Sequence, residues 1–199
     1  MTDKQIIEGI LQSDEEAFKE LVDNYQSLVL NTCNGFLHNR QDAEDLAQEV
    51  FIEALRSISK FRGTSSLSTW LYRISVNKSL NFIRDNKKRK IMRSIDNPSS
   101  GGNEDNIMEL EDPDTPYNKI EDTENEKLEL LHQSIASLPK NQKVAFTLNK
   151  FENLSYKQIS EIMEISLSSV EGLIHRAKRN VQKKVLKYYQ KKPGQGKSF

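Results

Sequence analysis

Residues 155–183 read SYKQISEIMEISLSSVEGLIHRAKRNVQK, and their spacing decides the fold of the surrounding chain. Ser155, followed three residues later by Gln158, is a capping box in which serine and glutamine satisfy the unpaired N–H groups of a helix start. Ile159, Ile162 and Met163 give that helix an apolar face. Glu164-Ile165-Ser166 forms a short turn. Beyond it Val170, Leu173, Ile174, Ala177 and Val181 recur at i, i+3, i+4, i+7 and i+11, so a second helix turns one face inward. Its opposite face carries Ser168, Gly172, His175, Arg176, Arg179 and Lys183. A helix, a tight turn and a second helix with a cationic outer face have the dimensions of a unit that inserts side chains into the DNA major groove. A merely solvated charged face is the plain alternative, and the tight turn with its density of cations favours DNA.

Net charge over the 199 residues is zero, which taken alone would argue against nucleic acid. The average hides a partition. Residues 1–95 hold 14 Lys/Arg against 13 Asp/Glu, residues 96–126 hold one against 11, and residues 127–199 hold 14 against 5. The C-terminal third is therefore strongly basic, as expected where neutralising phosphates drives affinity. Cys33, in an apolar stripe at helical spacing, reads as a small core residue. One cysteine makes no intrachain disulfide, and three scattered histidines make no metal set, so no metal and no cofactor are expected. No apolar run reaches the length of a membrane span, and Met1-Thr2-Asp3-Lys4 lacks an apolar signal region. The expectation is a cytoplasmic protein with no membrane insertion of its own.

Working outward from the helix pair, the periodicity is helical almost throughout, and no stretch shows convincing period-two alternation. Ile6, Ile7, Ile10 and Leu11 mark a first helix. Ser13-Asp14-Glu15-Glu16 reads as a capping box opening a long stripe from Phe18 to Phe36. A third helix follows Asn39-Arg40. The polar loop Phe61–Ser66 leads into a fourth, running from about Leu67 to the Lys87-Lys88-Arg89-Lys90 run. Between 96 and 126 the pattern dissolves into Pro, Gly and acids, as in a flexible linker. Its fragment Ile107-Met108-Glu109-Leu110 is apolar enough to dock elsewhere and is assigned no structure of its own. Two further helices, around Leu128–Leu138 and Val144–Phe151, complete a four-helix C-terminal unit. The fold class is all-α: a helical bundle over 1–95, an acidic linker over 96–126, a helix-turn-helix domain over 127–192 and a disordered tail over 193–199.

Two N-terminal segments carry chemistry. Asp42-Ala43-Glu44-Asp45-Leu46-Ala47-Gln48-Glu49-Val50-Phe51 places acids on one side and apolar residues on the other. A solvated acidic face and a docking face for a basic partner helix fit that spacing equally well. Next, Ser65-Ser66-Leu67-Ser68-Thr69-Trp70-Leu71-Tyr72-Arg73-Ile74, continuing through Asn77, Asn81 and Arg84, mixes aromatics, amides and cations. Such a mixture holds single-stranded nucleic acid, with rings or a loop pocket taking unstacked bases and cations following the backbone. Trp70 and Tyr72 read equally well as partly core residues.

These motifs, in this order and followed by the helix-turn-helix, resemble bacterial RNA polymerase sigma factors of the extracytoplasmic-function (ECF) group. The similarity covers essentially the whole chain outside the linker. It implies two promoter-binding domains, regions 2 and 4, carried by core RNA polymerase, and a role in promoter recognition, promoter opening and transcription initiation with no catalytic residue. The resemblance implies that Asp42, Asp45, Leu46, Gln48, Glu49, Phe51 and Ile52 dock on polymerase. Arg62, Ser65, Ser66, Trp70, Arg73, Asn77, Arg84, Lys87 and Lys88 would meet the downstream (−10) element, where capture of a flipped base offsets the unstacking cost of a few kcal/mol. Ser168, Ser169, Glu171, Gly172, His175, Arg176 and Arg179 would read the upstream (−35) element. Phe146 and Leu148 lie where region 4 also touches polymerase in the family, and an anti-sigma factor is an expected partner. Leu67 stands where an aromatic is common and Asn81 where an acid is common. Glu171 either accepts from a base or caps its helix through Ser168-Ser169-Val170-Glu171.

The competing class is a free-standing helix-turn-helix regulator with an N-terminal sensor or dimerisation domain, against which the aromatic and amide-rich helix after Leu67 counts. A nucleic-acid enzyme would need clustered carboxylates for metal. The clustered acids here fall in the linker or on one helix face, with no glycine-rich phosphate loop or Ser/His set.

Overall fold

The computed structural model describes residues 1–95 and 124–191. The acidic 96–123 segment, with Ile107–Leu110 inside it, and the tail 193–199 lie outside the described residues. Eight α-helices are seen among them: α1 (Asp3–Leu11), α2 (Glu15–Leu37), α3 (Arg40–Ser57), α4 (Leu67–Ile95), α5 (Glu124–Ala136), α6 (Lys140–Lys150), α7 (Tyr156–Met163) and α8 (Leu167–Lys191). A single 3-10 turn, Ile58–Lys60, follows α3.

The helix starts follow local chemistry. Thr2 with Gln5 and Ser155 with Gln158 form complete capping boxes at α1 and α7. At α2 the expectation needs correcting, because the cap is Asp14, which accepts from the Glu16 N–H, while Ser13 adopts a left-handed φ of 64° in the turn before it. The start of α8 is also displaced. Ser166 accepts from the Ser169 N–H at 3.2 Å and bonds the hydroxyls of Ser168 and Ser169. Glu171 therefore lies beyond the capping position and does not cap α8. Removing this cap, as in Ser166→Ala, is expected to cost about 1 kcal/mol. Chemical denaturation of the full chain should show that loss.

Packing divides the apolar residues into three clusters. The first lies within α1–α4, where Ile6, Leu21, Val29, Cys33, Val50, Leu67 and Leu71 are buried. Burial pushes the Cys33 thiol up to about 11, in keeping with the expected core role. A third cluster joins α5, α6 and α8 through Ile135, Leu138, Phe146, Ala177 and Val181. The second crosses between the two halves: Phe36 of α2 and Val76 of α4 pack with Val144, Leu148, Leu154, Ile159, Ile162, Val170 and Ile174. The C-terminal bundle is thus docked on the N-terminal one, a closure that the reading of two separate units did not anticipate. Phe146 and Leu148 sit inside these cores, so the expectation that they form a polymerase-touching surface does not hold in this arrangement.

Candidate nucleic-acid interface

The turn Glu164-Ile165-Ser166 is as tight as its sequence suggests. Glu164 closes α7 in the left-handed conformation (φ 56°, ψ 42°), and the Ser160 hydroxyl donates to the Ile165 carbonyl at 2.8 Å. The turn fixes α8 so that Val170, Ile174 and Ala177 are buried while Ser168, Ser169, Glu171, His175, Arg176 and Arg179 face solvent. Gly172 is half-buried between these faces. A Cβ on it would come within 3.2 Å of Arg176 Nη1, so the missing side chain leaves room for the guanidinium to lie along the helix. All seven residues expected at the upstream element thus lie on one end of α8. The hydroxyls of Ser168 and Ser169, however, are already engaged with Ser166.

In the N-terminal bundle, Ser66 caps α4 by accepting from the Thr69 N–H at 3.1 Å. Trp70 packs at a tilt on Phe61, ring centres 5.4 Å apart, and is half-buried. Trp70 is thus partly core, with one portion of its ring available at the loop. Arg62, Ser65 and Ser66 form the loop edge. Asn77, Arg84, Lys87 and Lys88 are exposed along α4. Arg84 pairs with its neighbour Asp85 at 3.0 Å, an exposed contact that a phosphate can displace. Beside this stripe α3 and α4 enclose an open groove of about 750 Å³ lined by Glu49, Glu53, Asn77, Lys78, Asn81 and Arg89 among others. Lys78 ties its walls together, with Nζ 3.4 Å from Glu49 and 3.9 Å from Glu53.

On α3 the expected docking residues separate into two roles. Asp45, Gln48, Glu49 and Ile52 are exposed and Asp42 is half-buried, whereas Leu46 and Phe51 are only 3% and 7% exposed. The last two hold the helix in place from the core side. Leu55, which the sequence reading passed over, is an exposed apolar neighbour of Ile52 on the same helix.

Residues 21–89 match the family described as sigma-70 region 2, and residues 128–181 match sigma-70 region 4. The ECF RNA polymerase sigma-E factor of Haemophilus influenzae is 37% identical over 185 residues, spanning 93% of this chain and 96% of that protein. The chain belongs to the ECF sigma factors. The RNA polymerase sigma-H factor of Pseudomonas aeruginosa is 34% identical over 185 residues, 91% of this chain and 92% of its own. Among solved structures, the sigma factor RpoE of Bartonella quintana, crystallised with the anti-sigma factor NepR, shares the fold at a TM-score of 0.55. It is 18% identical, over 84% of this chain and 96% of that one. As an ECF sigma factor, this protein directs transcription initiation at promoters.

Several groups at the joint between the sigma factor's two bundles were not legible as functional in sequence. His38, in the left-handed conformation after α2, stacks on His132 of α5 with ring centres 3.9 Å apart and planes within 5°. Burial, then the neighbouring His132 and Lys143, push His38 down to about 4, so it is neutral near pH 7. Burial pushes Glu152 up to about 7, which the adjacent Tyr72 hydroxyl only partly offsets. Lys143 is likewise held below the usual lysine range by burial and by Lys87. Gly35, in the last turn of α2, is a local sign of a close approach, since a Cβ there would come within 3.1 Å of Thr147 Cγ2. The others are far apart in sequence and carry no such sign.

Proposed function

We propose that this sigma factor brings core RNA polymerase to its promoters through three surfaces of the two bundles. The exposed acidic and apolar side of α3, with Asp42, Asp45, Gln48, Glu49 and Ile52, meets polymerase, supported from beneath by Leu46 and Phe51. The loop Arg62–Ser66 and the α4 stripe of Arg73, Asn77, Arg84, Lys87 and Lys88 take the −10 element, with a flipped base held beside Trp70. The end of α8, from Ser168 to Arg179, reads the −35 element in the major groove. The observation that carries this reading is the exposure of Arg176 and Arg179 over a buried Ile174, on a helix whose start is pinned by the turn at Glu164. Opening the duplex in this scheme needs binding energy and no covalent chemistry, so the protein works without an enzymatic activity or cofactor of its own.

The bundles are proposed to span residues 1–95 and 127–192, and the protein to work in the cytoplasm. Among the described residues no helix is long and apolar enough to cross a membrane. An anti-sigma factor is the proposed negative regulator, by analogy with the RpoE and NepR pair. Purified chain plus core polymerase should start transcription at discrete promoters, located by mapping the chain with polymerase across the genome. The charge reversals Asp45→Lys and Glu49→Lys together are expected to weaken polymerase binding at least about 10-fold, since like charges at an interface cost several kcal/mol. A wild-type chain that leaves polymerase promoter-blind would overturn the reading, and so would an unchanged affinity in the reversed variant.

A further inference from the structure

A cleft of about 640 Å³ opens beside α6, lined by Lys143 and Thr147 of that helix, Lys87 and Phe82 of α4, and His38 and His132. Its size falls within the roughly 300–1,000 Å³ of small-molecule sites. Lys143 and Thr147 stand four residues apart, so they share one face of α6. Lys143 is only 9% exposed. Its Nζ donates to the Ala136 carbonyl at 2.6 Å, and among the described residues no carboxylate pairs with it. An ammonium carries three donors, so most of this one's capacity is left over. Buried charges are ordinarily paired, because an isolated one loses its hydration with nothing to offset the loss.

Thr147 is a second, independent sign. Its Oγ1 is fully buried without a hydrogen-bond partner, a cost that folding normally avoids. Burial, and then the nearby Lys87, hold Lys143 below the usual lysine range, the response of a cation that lacks an opposing charge. Two acids also line the cleft, half-buried Asp42 and exposed Glu129. Solvent screens an exposed carboxylate far more than a buried ammonium, so the cation sets the sign deep in the cleft. Much of the remaining lining is flat and apolar. His38 and His132 stack with ring centres 3.9 Å apart, and Phe36 and Phe82 line the same space.

We propose that this cleft binds a small organic phosphate, its phosphoryl group held by Lys143 and Thr147 and a flat apolar body lying along Phe36, Phe82 and the stacked imidazoles. A phosphate monoester brings three acceptor oxygens and close to two negative charges near pH 7. Those oxygens accept from the free Lys143 donors and from the Thr147 hydroxyl, so one group satisfies both buried side chains. Charge-assisted bonds of this kind are about twice as strong as neutral ones. None of these residues belongs to the outer face of α8, so occupation of the cleft is separable from promoter reading there.

Calorimetric titration of the full chain tests the site with inorganic phosphate, phenyl phosphate and benzyl alcohol, which offer the head alone, head and body together, and the body alone. Phenyl phosphate should bind at least about 10-fold more tightly than either of the others. Lys143→Met is expected to weaken phenyl phosphate binding at least about 10-fold, and Thr147→Val at least about threefold. Lys143→Met should keep the helical circular dichroism of the wild type, since it exchanges an unpaired buried charge for an apolar chain. Thr147→Val nearly preserves the side-chain shape and carries the test independently. Arg176→Ala/Arg179→Ala should leave the affinity unchanged. Absence of phenyl phosphate binding at millimolar concentration would overturn the site. So would binding that both cleft variants retain, or binding that is lost with the α8 arginines instead. Benzyl alcohol matching phenyl phosphate would overturn the anionic head, and inorganic phosphate matching it would overturn the apolar body.

Discussion

The double substitution Arg176→Ala/Arg179→Ala will lower transcription from a promoter with a −35 element about 30-fold or more. Each bidentate contact from arginine to a base is worth about 1–3 kcal/mol, so two lost contacts remove at least about 2 kcal/mol, which is roughly 30-fold. Both side chains are exposed, and neither belongs to a core cluster, so the bundle should remain folded. Binding of the chain to core polymerase should not change. If one of the pair contacts phosphate instead of a base, its loss weakens all promoters alike and reduces the salt slope by about one. In-vitro transcription on promoters differing only upstream separates the cases. Undiminished transcription with both arginines removed would exclude this face of α8 from promoter reading.

Ile174→Ala is expected to destabilise the C-terminal bundle by about 2–5 kcal/mol, the range for truncating a buried isoleucine. Ile174 is 1% exposed and packs in the cluster shared by α6, α7 and α8. It lies directly behind His175 and Arg176 in sequence, so its loss frees the helix that presents them. Because the same cluster receives Phe36 and Val76, the closed joint should loosen as well. Thermal unfolding followed by circular dichroism should show an early transition for the C-terminal bundle and a later one for the N-terminal bundle. A single transition at the wild-type temperature would mean that the cavity collapses without cost, contrary to the packing described.

The elements themselves were largely readable in sequence. Ser155 with Gln158 marks the start of α7, and the apolar period from Val170 to Val181 marks the buried side of α8. Both signals are local, arising from unpaired backbone groups and from a 3.6-residue repeat. The failures were equally local. Ser13 looked like a cap and sits in the turn, because Asp14 was the better-placed acceptor. Leu46 and Phe51 were grouped with a binding face, and their burial shows that a helix stripe has an inner half which spacing alone does not separate from its edge.

The candidate site was legible in part. Residues on one helix, such as His175, Arg176 and Arg179, share a face by periodicity, so their grouping needs no tertiary information. Arg73 is different. It shares a helix with Asn77 and Arg84, and its partners are Glu161, Ile162 and Glu164, close to ninety residues away along the chain. Two of those partners are backbone carbonyls, whose availability depends on where a helix ends and not on residue type.

By itself the sequence determined that this is an all-α chain, with a basic recognition helix after a tight turn and an acid-rich stretch between two helical units. Hydrophobic period, capping residues and charge are properties of neighbouring residues. Only the tertiary structure decided that the two units close on each other, with Gly35 admitting α6 and Arg73 capping α7. That decision comes from shape and from unpaired carbonyls meeting across the joint, quantities that exist only once both bundles have folded.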